Sequence, residues 1–523
     1  MLLPDLIAQS AERFPEKTAL IFTHGSISFR ALHEQSSQVA ARLRKLGIGP
    51  GARVAILHEN AIPSVIFFWG ILKSGAQVVD VPCLAGVGTI AGMFTEAKPA
   101  AVVISQRQWQ RFSMANADCL PAIVLTGQTL STPGPGRDCH WLAEITATET
   151  SEVSPQLVGE SDVALIIYTS GTTGRPKGVM LSHRNLLSNI IAVNSLMGLT
   201  SDDSVLVVVP LYFVHGRMQL LTHALIGGTM AFSAGFQFPQ QVVDDMLRYR
   251  VTGFSGVPYH FAVLLQHTRM ASTRLPHLRY VVITGGALAP HSLRKLSEAL
   301  PGVDIHIGYG QTETSPRIAN LSPAKVLSKS GSCGLPIAGV VVQIVDENGS
   351  PTGPGAVGEI VVSGPNVMCG YVSGDEVTSG KIDALGRLHT GDLGRVDSDG
   401  YLYIVGRKSE LIKSAGERVF PREIEIVLDA HPAVHESAVL GIPDDILGEK
   451  IVACVVPRPG IKVKTEELRT HCLKSLPLVR VPREVRVSLG LPKTDSGKTN
   501  RSILPAHFRE IGLAEKAHEV NRP

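Results

Sequence analysis

Seven cysteines in 523 residues are too few and too scattered to staple a fold. They stand at Cys83, Cys119, Cys139, Cys333, Cys369, Cys454 and Cys472, with no C-x-x-C pair and no alternating His/Cys spacing. That pattern excludes a disulfide framework and a structural zinc site, and leaves buried free thiols as the expectation. Charge of one sign is not in excess either: 49 Lys and Arg face 46 Asp and Glu, a formal net of +3. Such a balance gives no electrostatic case for nucleic acid as a partner. Long apolar runs are missing. The stretch "SVIFFWGIL" falls well short of the roughly 18 residues a membrane span needs. The opening "MLLPDLIAQSAERFPEK" has Asp5 and Glu12 where a secretory leader would be basic and then apolar, so it reads as a helix. A cytoplasmic protein is the expectation.

What is present is ordinary globular composition, 44% hydrophobic and 18% charged, in a chain too long for one core. Helical and strand signals alternate. In "SFRALHEQSSQVAARLRKLG", Leu32, Val39, Leu43 and Leu46 repeat at helical spacing, Gly47 stops the helix, and "RVAIL" follows as a buried strand. Similar units recur at "VIFFWGILKSGAQVVDV" and "VDDMLRYRVTGFSGVP". The alternation argues for an α/β fold with largely parallel sheets. Residues 126 to 160 are rich in Ser, Thr, Pro and Gly and read as a surface connection. Beyond about residue 330, strand runs broken by Asn-Gly and Gly-Pro-Gly turns suggest a small β-rich subdomain. The last hundred or so residues have an α+β pattern, with a boundary near Arg407.

The stretch "YTSGTTGRPKG", Tyr168 to Gly178, raises the first chemical question. A Walker loop, G-x-x-x-x-G-K-[ST], opens directly into a helix. Counted from Gly171, the second Gly position is Pro176, Lys177 is followed by Gly178, and "VMLS" is extended. Spacing and context both fail. The loop still suits phosphate: its glycines let backbone N–H groups approach an anion, Thr169, Ser170, Thr172 and Thr173 offer hydroxyls, and Lys177 adds charge. A second decoy, "GPGAVG" at Gly353 to Gly358, matches G-x-G-x-x-G but precedes a strand, so it reads as a hairpin turn.

Further motifs follow in order: "GYGQTET" (Gly308–Thr314), "LHTGDLG" (Leu388–Gly394), "YIVGRKSELIKSAGERV" (Tyr403–Val419) and "LPKTDSGKTNR" (Leu491–Arg501). Each alone would pass for a charged surface turn. Together with "GSCGLPIAGV", "GEIVVSGPNVMCGY", "HTGDLGRVDSDGYLYIVGR" and "PREIE", the set resembles the adenylate-forming superfamily of acyl-CoA synthetases, peptide-synthetase adenylation domains and luciferases, over almost the whole chain.

The resemblance implies a large N-terminal domain (1–406), a hinge (407–410) and a small mobile α+β domain (411–523). It implies an AMP-forming ligase using ATP and Mg²⁺. A carboxylate would attack the α-phosphate to give an acyl-adenylate, and a thiol would then take the acyl group. Such chemistry is mostly positioning and charge stabilisation. By the same resemblance, Thr169, Ser170, Gly171, Thr172, Thr173, Gly174 and Lys177 would hold the β- and γ-phosphates, with Thr169 also beside the metal. Thr312 would touch the α-phosphate and Glu313 would hold Mg²⁺. Tyr309 would pack on the adenine beside Gly310, and Asp392 would accept the ribose hydroxyls near Arg407. Gly285, Gly286 and Ala287 would run between adenine and acyl pocket, and His215 would guard that pocket. Lys498 would bridge carboxylate and α-phosphate, while Lys413 and Gly416 would face the site for thiol attack.

Two positions depart from the family pattern: Ser409, where Asp or Lys is usual at the hinge, and Val372, where Trp often follows the Gly-Tyr pair. No Asp follows His215 to hold an ammonium, which disfavours an α-amino acid. The apolar surroundings of "YFVHGRMQLLTHALIGG" suit an aliphatic acid, so fatty acid metabolism, with an aromatic acid second. Arg217 could pair a second carboxylate, but a surface role is the expectation. Coenzyme A is the expected acceptor, with the phosphopantetheine of a carrier protein as rival. A protein that kept the fold and lost catalysis is the reading from another class, and Glu313, Asp392, Arg407 and Lys498 together argue against it.

Overall fold

The computed structural model describes residues 1–520 apart from 116–118, 128–129, 131–136, 151–157, 170–175, 287, 289 and 494–498, and for 290–291 and 513–520 it describes the backbone alone. Two large sheets organise the first four hundred residues. The helix Phe29–Lys45 forms where the 3.6-residue spacing places it, capped by Ser28 and burying Leu32, Val39 and Leu43. Its neighbour Ile62–Ser74 is largely apolar around its circumference, because most of it lies buried against that helix and the sheet. Gly70 permits the approach, since a Cβ there would stand 2.4 Å from Val39 Cγ1.

The first sheet places Gln77–Asp80 beside Val163–Thr169 on one side and Arg53–Leu57 on the other, all parallel. Lys177–Ser182 returns antiparallel along Val163–Thr169, and Gly370–Tyr371 pairs outside it. So the loop of interest joins two antiparallel strands, and Ser182 caps the helix His183–Met197 only afterwards. The second sheet runs parallel through Thr18–Phe22, Thr229–Phe232, Ser204–Val207, Gly253–Gly256, Tyr280–Thr284 and Asp304–Gly310. In parallel sheets the C-terminal strand ends carry the ligand crevice. Thr169, Asp80, Gly256, Thr284 and Gly310 all stand at such ends.

A four-stranded antiparallel sheet follows, Val341–Val345, Gly358–Ser363, Leu388–Val396 and Leu402–Arg407. The "GPGAVG" stretch lies between its first two strands, as a turn. The chain then makes a 3-10 turn at Lys408–Glu410 and builds a separate sheet from Ile412–Ser414, Glu417–Val419, Val434–Asp444, Gly448–Pro457 and Glu484–Val487. Its apolar clusters draw only on residues 412–511, and the other clusters only on residues 3–404.

The reading of 126–160 as a surface connection needs correcting for its described part. Asp138–Trp141 pairs in parallel with Ile123–Thr126 and extends the first sheet, and the helix Leu142–Thr148 follows. Polar composition hid it because an edge strand needs few apolar residues: His140 is its one buried side chain. Glu149, buried just beyond, takes Arg42 and Lys45.

Candidate active site

The strand Asp304–Gly310 ends in a tight corner. A Cβ on Gly310 would stand 1.6 Å from the carbonyl oxygen of Pro316, so only glycine lets the chain double back. A 3-10 turn, Thr312–Thr314, follows. Asn366 donates to the carbonyl oxygens of Thr314 and Arg317 at 3.0 and 3.2 Å, and Asn189 reaches the same two at 3.3 and 2.8 Å. Glu313 is held at two points. Its carbonyl oxygen accepts from the Met368 N–H at 2.9 Å, and its Oε1 accepts from the Tyr371 hydroxyl at 2.8 Å. Burial and the Glu313 charge keep that phenol protonated, well above its ordinary range.

Tyr371 also reaches Lys177, on the strand that follows the candidate phosphate loop. Lys177 Nζ lies 5.4 Å from the centre of its ring, within cation–π range. Thr169 and Lys177 are cross-strand partners, with the loop between them. Thr169, Lys177, Tyr371 and Glu313 therefore form one neighbourhood. Ser170, Gly171, Thr172, Thr173 and Gly174 lie outside the described residues. No group of three or more His, Cys, Asp or Glu is assembled among the described residues. One carboxylate beside a candidate phosphate loop suits a hard ion that shares its shell with phosphate oxygens and water, as Mg²⁺ does.

A second group lies where the four-stranded sheet meets the corner. The Tyr309 hydroxyl donates to Asp392 Oδ2 at 2.8 Å, and Arg407 Nε stands 3.1 Å from Oδ1. Asp392 and Arg407 are cross-strand partners, which fixes the pair at the last residue before the turn Lys408–Glu410. Burial, reinforced by Asp392, holds the Tyr309 phenol well above its ordinary range, so it remains a donor. Lys408 reaches back to Glu359 at 3.0 Å. Ser409 lies inside that turn.

The helix Val214–Ile226 begins between the two large sheets. Gly216 allows the fit, since a Cβ there would meet the Pro210 carbonyl oxygen at 2.4 Å. His215 Nε2 hydrogen-bonds Ser255 Oγ at 2.7 Å, at the end of a second-sheet strand. Two residues on, about 200° around the helix, Arg217 meets Asp80 at the end of a first-sheet strand, with Nε and Nη2 donating to the two carboxylate oxygens at 2.6 Å each. Arg217 is 1% exposed and Asp80 0%, and the guanidinium carbon lies 4.1 Å from the centre of the Phe68 ring. The surface role expected for Arg217 is thus wrong. The helix has sheets on both sides, so a position that alternation would expose is sealed and needs a buried counter-charge.

Gly285 and Gly286 follow the strand Tyr280–Thr284; Gly285 has φ +81°, and a Cβ on Gly286 would sit 3.4 Å from Pro258 Cγ. Ala287 lies outside the described residues, as does Lys498. Lys413 and Gly416 share a hairpin, Ile412–Ser414 with Glu417–Val419. Ala415 and Gly416, at φ +51° and +79°, make its two-residue turn, the positive pair a type I′ turn requires. Lys413 is exposed and a Cβ on Gly416 would meet nothing within 4 Å. Arg418 in this hairpin forms an ion pair with Glu347 of the four-stranded sheet's neighbourhood. So Glu313, Lys177 and Thr169 come together, as do Tyr309, Gly310, Asp392 and Arg407, while Lys413 and Gly416 stand apart. Tyr371 and Asp80 escaped the sequence reading, although Tyr371 closes the quoted stretch "GPNVMCGY".

Comparison with known proteins gives the family. Residues 7–372 match the model of the AMP-binding enzyme family, and 423–498 match that of the AMP-binding enzyme C-terminal domain. The chain is 32% identical over 515 residues to oxalate–CoA ligase of Arabidopsis thaliana, covering 97% of this chain and 99% of that one. It is 35% identical over 504 residues to a feruloyl-CoA synthase of an Amycolatopsis species, covering 95% and 97%. The crystal structure of ATP-bound MatB from Rhodopseudomonas palustris superposes with a TM-score of 0.87 at 29% identity, covering 98% of this chain and all of that one.

Proposed function

This chain belongs to the AMP-binding enzyme family of AMP-forming acid–thiol ligases, and from that premise we propose that it converts an aliphatic carboxylic acid to its CoA thioester through an acyl-adenylate. The observation that carries the reading is the pairing of two groups at the strand ends: Glu313 tied through Tyr371 to Lys177, and Tyr309 with Arg407 on Asp392. The first suits a metal-bound triphosphate. The second offers a buried carboxylate acceptor beside an aromatic face, which suits a ribose and its base.

In the first half-reaction a carboxylate oxygen bonds to the α-phosphorus as the bridge to the β-phosphate breaks and pyrophosphate leaves. Lys177, Thr169 and the residues Ser170–Gly174 hold the leaving charge, Thr312 contacts the α-phosphate, and Asp392 fixes the nucleoside. Gly285, Gly286 and Ala287 run along the acyl pocket, and His215, braced by Ser255, closes it. Mg²⁺, held by Glu313 with Thr169 nearby, would neutralise phosphate charge. Lys498 brings the carboxylate and the α-phosphate together. In the second half-reaction the thiol sulfur attacks the acyl carbon, the acyl–oxygen bond breaks, AMP leaves and the thiol proton passes to solvent. Lys413 and Gly416 stand apart from the nucleotide groups here, and a swing of residues 411–523 about 407–410 would bring them in.

A second reading, a compact or aromatic acid in place of a long chain, is supported by relatives named for oxalate and ferulate. No helix among the described residues is long and apolar enough to cross a membrane, and we place the enzyme in the cytoplasm. The test is pyrophosphate release across a panel of aliphatic, dicarboxylic and aryl acids, run with CoA and separately with a carrier protein bearing phosphopantetheine. Turnover with CoA and an aliphatic acid supports the first reading. Turnover only with the carrier protein, or only with aryl acids, replaces it.

A further inference from the structure

Tyr371 touches both Glu313 and Lys177, the two charged side chains proposed for the triphosphate site. It is 2% exposed and sits on the two-residue strand Gly370–Tyr371, paired to Lys177–Ser182 by Gly370↔Met180 and Tyr371↔Val179. Its N–H donates to Thr378 Oγ1 at 3.0 Å, and three residues earlier the Met368 N–H holds the Glu313 backbone. The segment therefore has little freedom to move relative to either partner. From this platform the hydroxyl donates to Glu313 Oε1 at 2.8 Å, and the ring carries Lys177 Nζ at 5.4 Å.

We infer that Tyr371 is the positioning residue of the triphosphate site, orienting Glu313 toward the metal through its hydroxyl and Lys177 toward the phosphates through its ring. The inference rests on the reading that Glu313 is the metal carboxylate. A carboxylate tied at one oxygen presents the other in a fixed direction, so a metal arriving there does not have to order the side chain first. The ring acts by a different route. A lysine stem is flexible, and a ring face beneath the ammonium restricts it without neutralising its charge. A carboxylate in place of the ring would restrict Lys177 as well, but would cancel the charge the phosphates need. Phenol suits both tasks: its hydroxyl donates to the carboxylate, and its ring offers an aromatic face to the cation.

The two routes separate by substitution. The measurement is calorimetric binding of ATP to the whole protein with Mn²⁺ and without it, the ratio of the two affinities reporting the metal contact. Tyr371→Phe keeps the ring and removes the hydroxyl. It should cut the preference for metal-bound ATP about tenfold and leave metal-free affinity unchanged. Tyr371→Leu should lose the same preference and also about threefold of metal-free affinity. Lys177→Met, which leaves the buried ring untouched but removes the charge itself, should lose at least as much metal-free affinity. Glu313→Gln is the control. If it abolishes the metal preference while Tyr371→Phe keeps it, the inference is overturned and the metal role of Glu313 stands. If Glu313→Gln keeps the preference, the metal reading itself falls. If Tyr371→Leu and Tyr371→Phe behave alike without metal, the ring does not position Lys177.

Discussion

Arg217 and Asp80 meet through two 2.6 Å hydrogen bonds, 137 residues apart in sequence and sealed from solvent between the two large sheets. The helix that carries Arg217 also carries His215, which reaches the other sheet at Ser255. One helical turn thus ties the strand ends of both sheets together.

A buried pair of this kind is costly to break on one side and cheap to replace on both. Arg217→Met alone should destabilise the protein by about 3–5 kcal/mol, since it leaves the buried Asp80 carboxyl without its partner. The double variant Asp80→Leu/Arg217→Met should recover most of that loss. Thermal melting of the two variants checks it; a double variant that simply adds two losses would contradict the pairing.

Asp392 holds Tyr309 and Arg407 on its two oxygens. A charged hydrogen bond contributes about 1.5–3 kcal/mol. Asp392→Asn should therefore raise the KM for ATP about 10- to 100-fold and leave the KM for the acid little changed. Initial rates at varied ATP and varied acid separate the two. An equal rise in both would remove Asp392 from the nucleoside site.

How much of this was legible in the sequence follows from the range of each contact. The helix Phe29–Lys45 and the strand Arg53–Leu57 obey local spacing, and the order of the motifs carries the family. The hairpin context of Lys177 is local too. Arg217 was misread because one sequence does not show that a helix has sheets on both sides. Tyr371 and Glu313 are 58 residues apart, and nothing in either neighbourhood marks the other. The strand Asp138–Trp141 was hidden in a polar stretch because an edge strand is set by its partner's backbone rather than by its own composition.

Gly416 has φ +79° and open space around it. Gly416→Leu should fold, at a backbone cost of about 1–2 kcal/mol for the left-handed conformation. It should spare acid-dependent pyrophosphate release and slow thioester formation at least tenfold, if the thiol passes over this turn. Stopped-flow pyrophosphate detection beside a thioester assay reads both steps; normal thioester formation would take Gly416 out of the thiol path.

Lys73 is a partly buried lysine whose Nζ bonds Ser37 Oγ, the His33 carbonyl oxygen and His33 Nδ1, and no carboxylate among the described residues forms an ion pair with it. Burial pulls its pKa down to about 7 from an ordinary value of 10.5. Between those values the unfolded chain binds a proton that the folded chain does not, so Lys73 costs the fold most at pH 7 and below, and progressively less as pH rises toward 10.5. His33, held down to about 4, stays neutral throughout that window. The stability of Lys73→Met relative to the unsubstituted protein should therefore fall by on the order of 1–3 kcal/mol between pH 7 and pH 10. Melting curves across that range test it; a difference independent of pH would show that Lys73 remains charged in the fold.

Exchange of labelled pyrophosphate into ATP tests, without any thiol, whether this site joins a carboxylate to the α-phosphate of ATP. With Mg²⁺ and an accepted acid, label should enter ATP, and it should stop when the acid is left out. Exchange that ignores the acid, or none with any acid while ATP still binds, would contradict it.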